Sequence, residues 1–179
     1  MSQKLDVNIM VSLIKRIEEK RLDIGKIQLQ KLMYFLKDFG VPLSYRYVIY
    51  HYGPYSFELT SNLDSLDSLD VLDVVSDEKG YGYHIKKGDF ADKFFEKDDA
   101  VTNEYKDKID FVIDTFASCE ASEIELKATI HFVHNVLKNK KLNTAKKSVT
   151  TKVKQLKPRF TEEKIELSYD ELNKVIPLI

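Results

Sequence analysis

The chain has 179 residues, 43% of them hydrophobic, with 28 Lys and Arg set against 29 Asp and Glu for a net charge of −1. Such a composition buries a real core and excludes wholesale disorder, and it offers no global field to recruit nucleic acid or a membrane surface. One cysteine, Cys119, forms no intrachain disulfide. No uncharged apolar run nears the roughly 20 residues of a membrane helix, and the N-terminus lacks the charged-then-apolar order of a signal peptide. The expectation is a soluble, cytoplasmic protein of one domain, or one domain with a helical extension.

Val7, Met10, Val11, Ile14 and Ile17 fall on one face of a helix. Leu22-Asp-Ile-Gly25 links it to a second helix from Lys26, with Leu29, Leu32, Met33, Leu36 and Phe39 inward. Lys26, Gln30, Lys31 and Lys37 are expected on its wet side, and Gly40 with Pro42 ends it. The run Tyr45-Arg-Tyr-Val-Ile-Tyr-His-Tyr52 is too rich in aromatic and β-branched residues for a loop and reads as a strand, stopped by Gly53-Pro54. Alternation puts Tyr45, Tyr47 and Ile49 on one side and Arg46, Val48, Tyr50 and Tyr52 on the other.

A third helix carries Leu59, Leu63 and Leu66 and is expected to stop near Leu69, because the three-residue leucine spacing of 63–73 drifts around a helix. Residues 71–76 and 81–86 flank Asp77-Glu-Lys-Gly80 as a hairpin. Downstream, Ile109, Val112, Ile113, Phe116 and Ala117 share one helix face. Ser122-Glu-Ile-Glu125 has the pattern of a capping box opening a helix with Leu126, Ile130, Val133 and Leu137 inward. Another helix runs from about Asn143 to Leu156 before Pro158, and Ser168-Tyr-Asp-Glu171 is expected to cap a short last helix. The fold class is therefore mostly α with a small antiparallel β-sheet, an α+β protein. Residues 1–98 form a winged-helix-like half and 99–179 a helical half, with the seam at Asp98–Asn103 and the halves packed as one compact unit.

Charge is unevenly placed. Glu58, Asp64, Asp67, Asp70, Asp73, Asp77 and Glu78 fall in a stretch with no Lys or Arg. Lys138, Lys140, Lys141, Lys146, Lys147, Lys152, Lys154, Lys157 and Arg159 fall in one with no Asp or Glu. A winged-helix DNA reader places its third helix against phosphates, and here that helix is acidic, which disfavours duplex reading by it. The basic stretch reads either as a surface for an acidic partner or as a solvated helix face.

Signals for chemistry are weak. His131 and His134 share a helix face but have no third ligand in a recognisable spacing, so no metal site is expected. No phosphate-binding loop or nucleophile elbow is present, and no cofactor is expected. A catalytic reading would need Tyr34, His51 or His131 to meet in a pocket.

Leu29-Gln-Lys-Leu-Met-Tyr34 followed by Tyr52-Gly-Pro-Tyr-Ser56 resembles the YwgA-like family of bacterial and archaeal proteins. Leu126-Lys-Ala-Thr-Ile-His131 and Leu156-Lys-Pro-Arg-Phe-Thr-Glu-Glu163 resemble later blocks of that group. Over about residues 26–70 the chain more distantly resembles the Panacea domain of SocA-type antitoxins. The resemblance implies a mostly helical fold with a small sheet, no established enzymatic activity, and antitoxin-like or adaptor-like contacts between proteins. By motif match it puts Lys31, Tyr34, Tyr52, Gly53 and Pro54 on the shared surface. The expected function is a non-catalytic interaction or regulatory module binding a protein partner through those residues with Tyr50, His51 and Tyr55. The alternative is nucleic-acid binding through Lys146, Lys147, Lys152 and Lys154; a homodimer is compatible with either.

Overall fold

The computed structural model describes residues 2–76, 82–95 and 103–178. In chain order these form α1 (Ser2–Glu19), α2 (Lys26–Asp38), β1 (Val48–Tyr50), β2 (Gly53–Tyr55), α3 (Phe57–Ser68), β3 (Leu72–Ser76), β4 (Tyr83–Lys87), α4 (Ala91–Phe95), α5 (Lys106–Phe116), α6 (Ala121–Asn139), α7 (Lys146–Leu156) and α8 (Glu162–Val175). The protein is mostly helical, with two small antiparallel two-stranded sheets, β1–β2 and β3–β4. The expected hairpin loop at 77–80 and the seam at Asp98–Asn103 fall largely outside the described residues.

One buried apolar cluster draws on both halves of the chain, from Ile9 and Leu13 of α1 to Ile165 and Leu172 of α8. Helices α2 and α6 form its centre: Phe35 stacks on Phe116 of α5 at 4.2 Å between ring centroids, and Leu126 and Ile130 are fully buried. Arg16 pairs with Asp110 at 3.0 Å, fastening α1 to α5. Hairpin β3–β4 docks beside α1, where the Lys87 amide donates to Glu18 and the Ile85 amide to the Ile24 carbonyl.

Several local expectations are corrected. No single strand spans 45–52. The extended residues up to Val48 alternate as expected, Tyr45 and Tyr47 inward and Arg46 and Val48 outward, but the chain turns back at His51-Tyr52. Gly53-Pro54 lies inside the returning strand, with Tyr50 opposite Gly53 and Ile49 opposite Pro54. Neither turn residue has a positive φ, whereas Gly53 sits at +84°, the pattern of a turn closed by a left-handed glycine.

Two predicted caps also differ. Glu120 holds the cap position of α6, so Ser122 lies two residues too far into the helix to cap it, and Glu125 is buried elsewhere. Thr161 caps α8, its hydroxyl accepting from the Lys164 amide, which leaves Ser168 buried in mid-helix. Gln30 and Lys31 are buried rather than on the wet side of α2. Leu69 caps α3 at the expected end and is exposed.

Candidate functional site

The β1–β2 hairpin sits across α2 and α6 and sorts the tyrosines. Tyr45 is buried and accepts from Asn62 at 3.1 Å, and the Tyr47 hydroxyl is buried too. Tyr50 and Tyr52 are outward, 46% and 51% exposed. They are joined by Phe57, at the first position of α3 and 59% exposed, which sequence reasoning missed. Its signal was an aromatic residue directly after the capping Ser56, where a helix face turned inward has not yet begun. The rings of Tyr50, Tyr55 and Phe57 touch one another at 5.0–5.6 Å between centroids, mostly edge to face or tilted.

The patch is held from below. Ser56 caps α3 by accepting from the Leu59 amide, and its own amide donates to Gln30 Oε1 at 2.9 Å. Gln30 Nε2 returns a bond to the Ser56 carbonyl at 3.0 Å, so one buried amide of α2 fixes where α3 starts. Gly53 is demanded by position as well as by φ: a Cβ there would stand 2.7 Å from Thr129 Oγ1 on α6.

Behind the hairpin lies a buried ionic cluster. The Glu125 carboxylate is buried, with Lys157 Nζ 2.9 Å from Oε1 and Arg159 on Oε2. The Lys157 contact is an ion pair without hydrogen-bond alignment at Oε1, because the lysine donates to the Tyr50 and His51 carbonyls of the hairpin turn. Arg159 also stands 5.9 Å from the centre of the Tyr52 ring. The Lys31 ammonium is buried close by, and burial lowers its pKa to about 7 against an opposing pull from Glu125.

Of the partner-binding residues expected from sequence, Tyr50, His51 and Tyr52 are exposed, Tyr55 is half-buried, and Lys31, Tyr34, Gly53 and Pro54 are buried. Tyr34 does meet His131: its hydroxyl lies 2.9 Å from Nδ1, while Nε2 lies 3.3 Å from Asp38. Burial first, then Asp38, holds the Tyr34 pKa well above its ordinary value, so the tyrosine donates and His131 keeps its proton on Nε2, facing Asp38. His51 is remote from this chain of bonds, on the hairpin turn. His134 is buried with neither ring nitrogen bonded. Among the described residues no group of three or more His, Cys, Asp or Glu is arranged to hold a metal ion.

The basic stretch is partly spent inside the fold. Lys157 and Arg159 serve Glu125, Lys146 pairs with Asp170 at 2.7 Å, and Lys154 donates to the Pro158 and Phe160 carbonyls. Lys138, Lys140, Lys141, Lys147 and Lys152 remain outward.

Three hollows surround the hairpin. One of about 490 Å³ lies between the 23–28 segment, Tyr52, Tyr83 and Ala121. A smaller one of about 90 Å³ is lined by Gln30, Lys31, Tyr52, Tyr55, Leu59 and Leu63 among others. An open groove of about 410 Å³ runs from Tyr55 and Phe57 along Thr60, Asp64 and Ser68 of α3.

The chain is 30% identical over 150 residues to the uncharacterised protein YwgA of Bacillus subtilis (strain 168), a match covering 83% of this chain and 82% of that protein. It belongs to the YwgA family. No family model matches the chain. Membership carries no activity with it, so the family's residues have to be read from their chemistry. No helix among the described residues is long and apolar enough to cross a membrane.

Proposed function

We propose that this protein is an interaction module in which Tyr50, Tyr52, Tyr55 and Phe57 receive a basic, apolar-bearing segment of a protein partner. The observation that carries this reading is the ring cluster of Tyr50, Tyr55 and Phe57, which touch one another, with Tyr50 and Phe57, and Tyr52 on the adjoining turn, about half exposed. Large aromatic side chains held in place at the surface are the residues that dominate protein interfaces. The groove that leaves this cluster runs past Asp64, and Glu58, Asp64 and Asp67 of α3 are exposed with no basic residue in the helix. Charge complementarity therefore favours lysine or arginine on the incoming segment. An antitoxin-like or adaptor-like role, as the Panacea-like segment implies, is one form such binding takes.

Affinity capture from the native cell with Tyr50→Ala/Phe57→Ala as the control tests this. The wild type is expected to retain a specific partner that the double variant loses, with unchanged far-ultraviolet circular dichroism and with release by salt. Equal retention by both proteins would sink the reading. Nucleic-acid binding is the weaker alternative, since Lys146 and Lys154 of its four expected residues are engaged internally.

A further inference from the structure

We propose that Lys31 is a carbonyl-binding residue whose side-chain amine condenses with a small aliphatic aldehyde or ketone in the cavity between α2, the hairpin turn and α3. The cavity of about 90 Å³ is walled by Leu59, Leu63, Tyr52, Tyr55 and Gln30 beside the lysine. A dry cavity of about 150 Å³ holds benzene, so this one suits a short aliphatic chain rather than an aromatic ring.

Lys31 is 1% exposed. The Glu125 carboxylate that acts on it is already taken: Arg159 occupies Oε2, and Lys157 stands at Oε1. Burial and the Lys157 charge both favour the neutral amine, while Glu125 favours the ammonium, and the balance leaves the pKa at about 7. Near neutral pH the Lys31 amine is therefore far more often unprotonated than exposed lysines, of which under roughly 0.1% are neutral. A desolvated lysine beside a second cation is the arrangement that activates amines toward carbonyl carbon.

The step balances without any oxidant. The amine lone pair adds to the carbonyl carbon and a nitrogen proton moves to the oxygen, giving a carbinolamine. Hydroxide then leaves with the second nitrogen proton as water, and the C=N bond forms. The reaction goes beyond the interaction surface, and neither depends on the other.

The test treats the full chain with butanal and sodium cyanoborohydride at pH 7 and maps the reduced adducts by peptide mass spectrometry. Lys31 is expected to label at least roughly tenfold faster than any exposed lysine, with a rate midpoint near pH 7, and a pyrene aldehyde is expected not to label it. Lys31→Met should abolish the fast adduct with circular dichroism unchanged. Adducts spread over exposed lysines with Lys31 unmodified would overturn the proposal, as would a Lys31 rate that climbs toward pH 10 like theirs. The wild-type map decides even if the variant fails to fold.

Discussion

Lys31 and Gly53 show how far a single position can be out of step with its residue type. A lysine held at a pKa of about 7 is a burden on the fold wherever it is protonated. Below pH 7 both the folded and the unfolded chain carry that proton, so the folded state bears the whole desolvation cost. Between 7 and 10.5 the unfolded lysine keeps a proton the folded one has shed, and stability rises with pH. Lys31→Met is therefore expected to raise stability by about 1–4 kcal/mol at pH 6 and by much less at pH 10, measured by urea unfolding at both. An equal gain at the two pH values would show that charge burial is not the cause. At Gly53 the opposite holds, because the residue type fits and nothing else does. Alanine there meets both the +84° φ and Thr129 Oγ1 at 2.7 Å, and is expected to cost about 2–4 kcal/mol in a thermal melt. The Gly53→Ala/Thr129→Ala pair should recover only the steric part.

At the scale of elements, the hairpin is held by residues more than a hundred positions downstream. Lys157 links the Tyr50 and His51 carbonyls to Glu125 of α6, so hairpin, α6 and the end of α7 form one ionic joint. Lys157→Ala strips a cation from a buried carboxylate and is expected to cost about 3–5 kcal/mol. Lys147→Ala, on the outward side of the same helix, is expected to stay within about 0.5 kcal/mol. Chemical denaturation of the two variants side by side measures the contrast, and similar values would mean that the joint is ornamental. This joint also marks the limit of what the sequence could reveal. The apolar periods of α1, α2, α5 and α6 were legible because a helix face is written in adjacent turns. So was the end of α3 near Leu69, where the three-residue leucine spacing falls out of step. The alternation of Tyr45 to Tyr50 was legible for the same local reason, but which of its two sides faces the core was not. Illegible were the places where a distant partner decides: Gln30 is buried because Ser56 takes both its amide groups, and Glu125 because Lys157 and Arg159 neutralise it. Capping-box spacing misled at Ser122 and Ser168 since four residues of the right type recur inside helices as readily as before them.

The molecule as a whole titrates in an unusual order, because the groups whose pKa burial moves furthest include a lysine, a histidine and several tyrosines. Burial lowers the His131 pKa below its ordinary 6.5, outweighing the pull of Asp38. A depressed folded pKa means the stability is present above 6.5 and is lost as pH falls through the lower folded value, since the unfolded chain takes up the proton first. Lys31 adds nothing to that acid step, being protonated in both states there, and acts only from 7 upward. The alkaline side is closed by groups of the other kind. Burial raises Cys119 above 9, Tyr45 to well above 10, and Tyr34 and Tyr47 likewise, so the unfolded chain releases those protons first and stability falls. The three windows leave a maximum near about pH 9, alkaline of the usual range of about 5–8. Urea midpoints from pH 5 to 11 are expected to show a rise below 7, a further rise to about 9 and a fall beyond 10. Lys31→Met should flatten the middle rise alone and His131→Gln the acid one. A single optimum near pH 6 that neither substitution moves would mean that these buried groups do not set the stability of the fold.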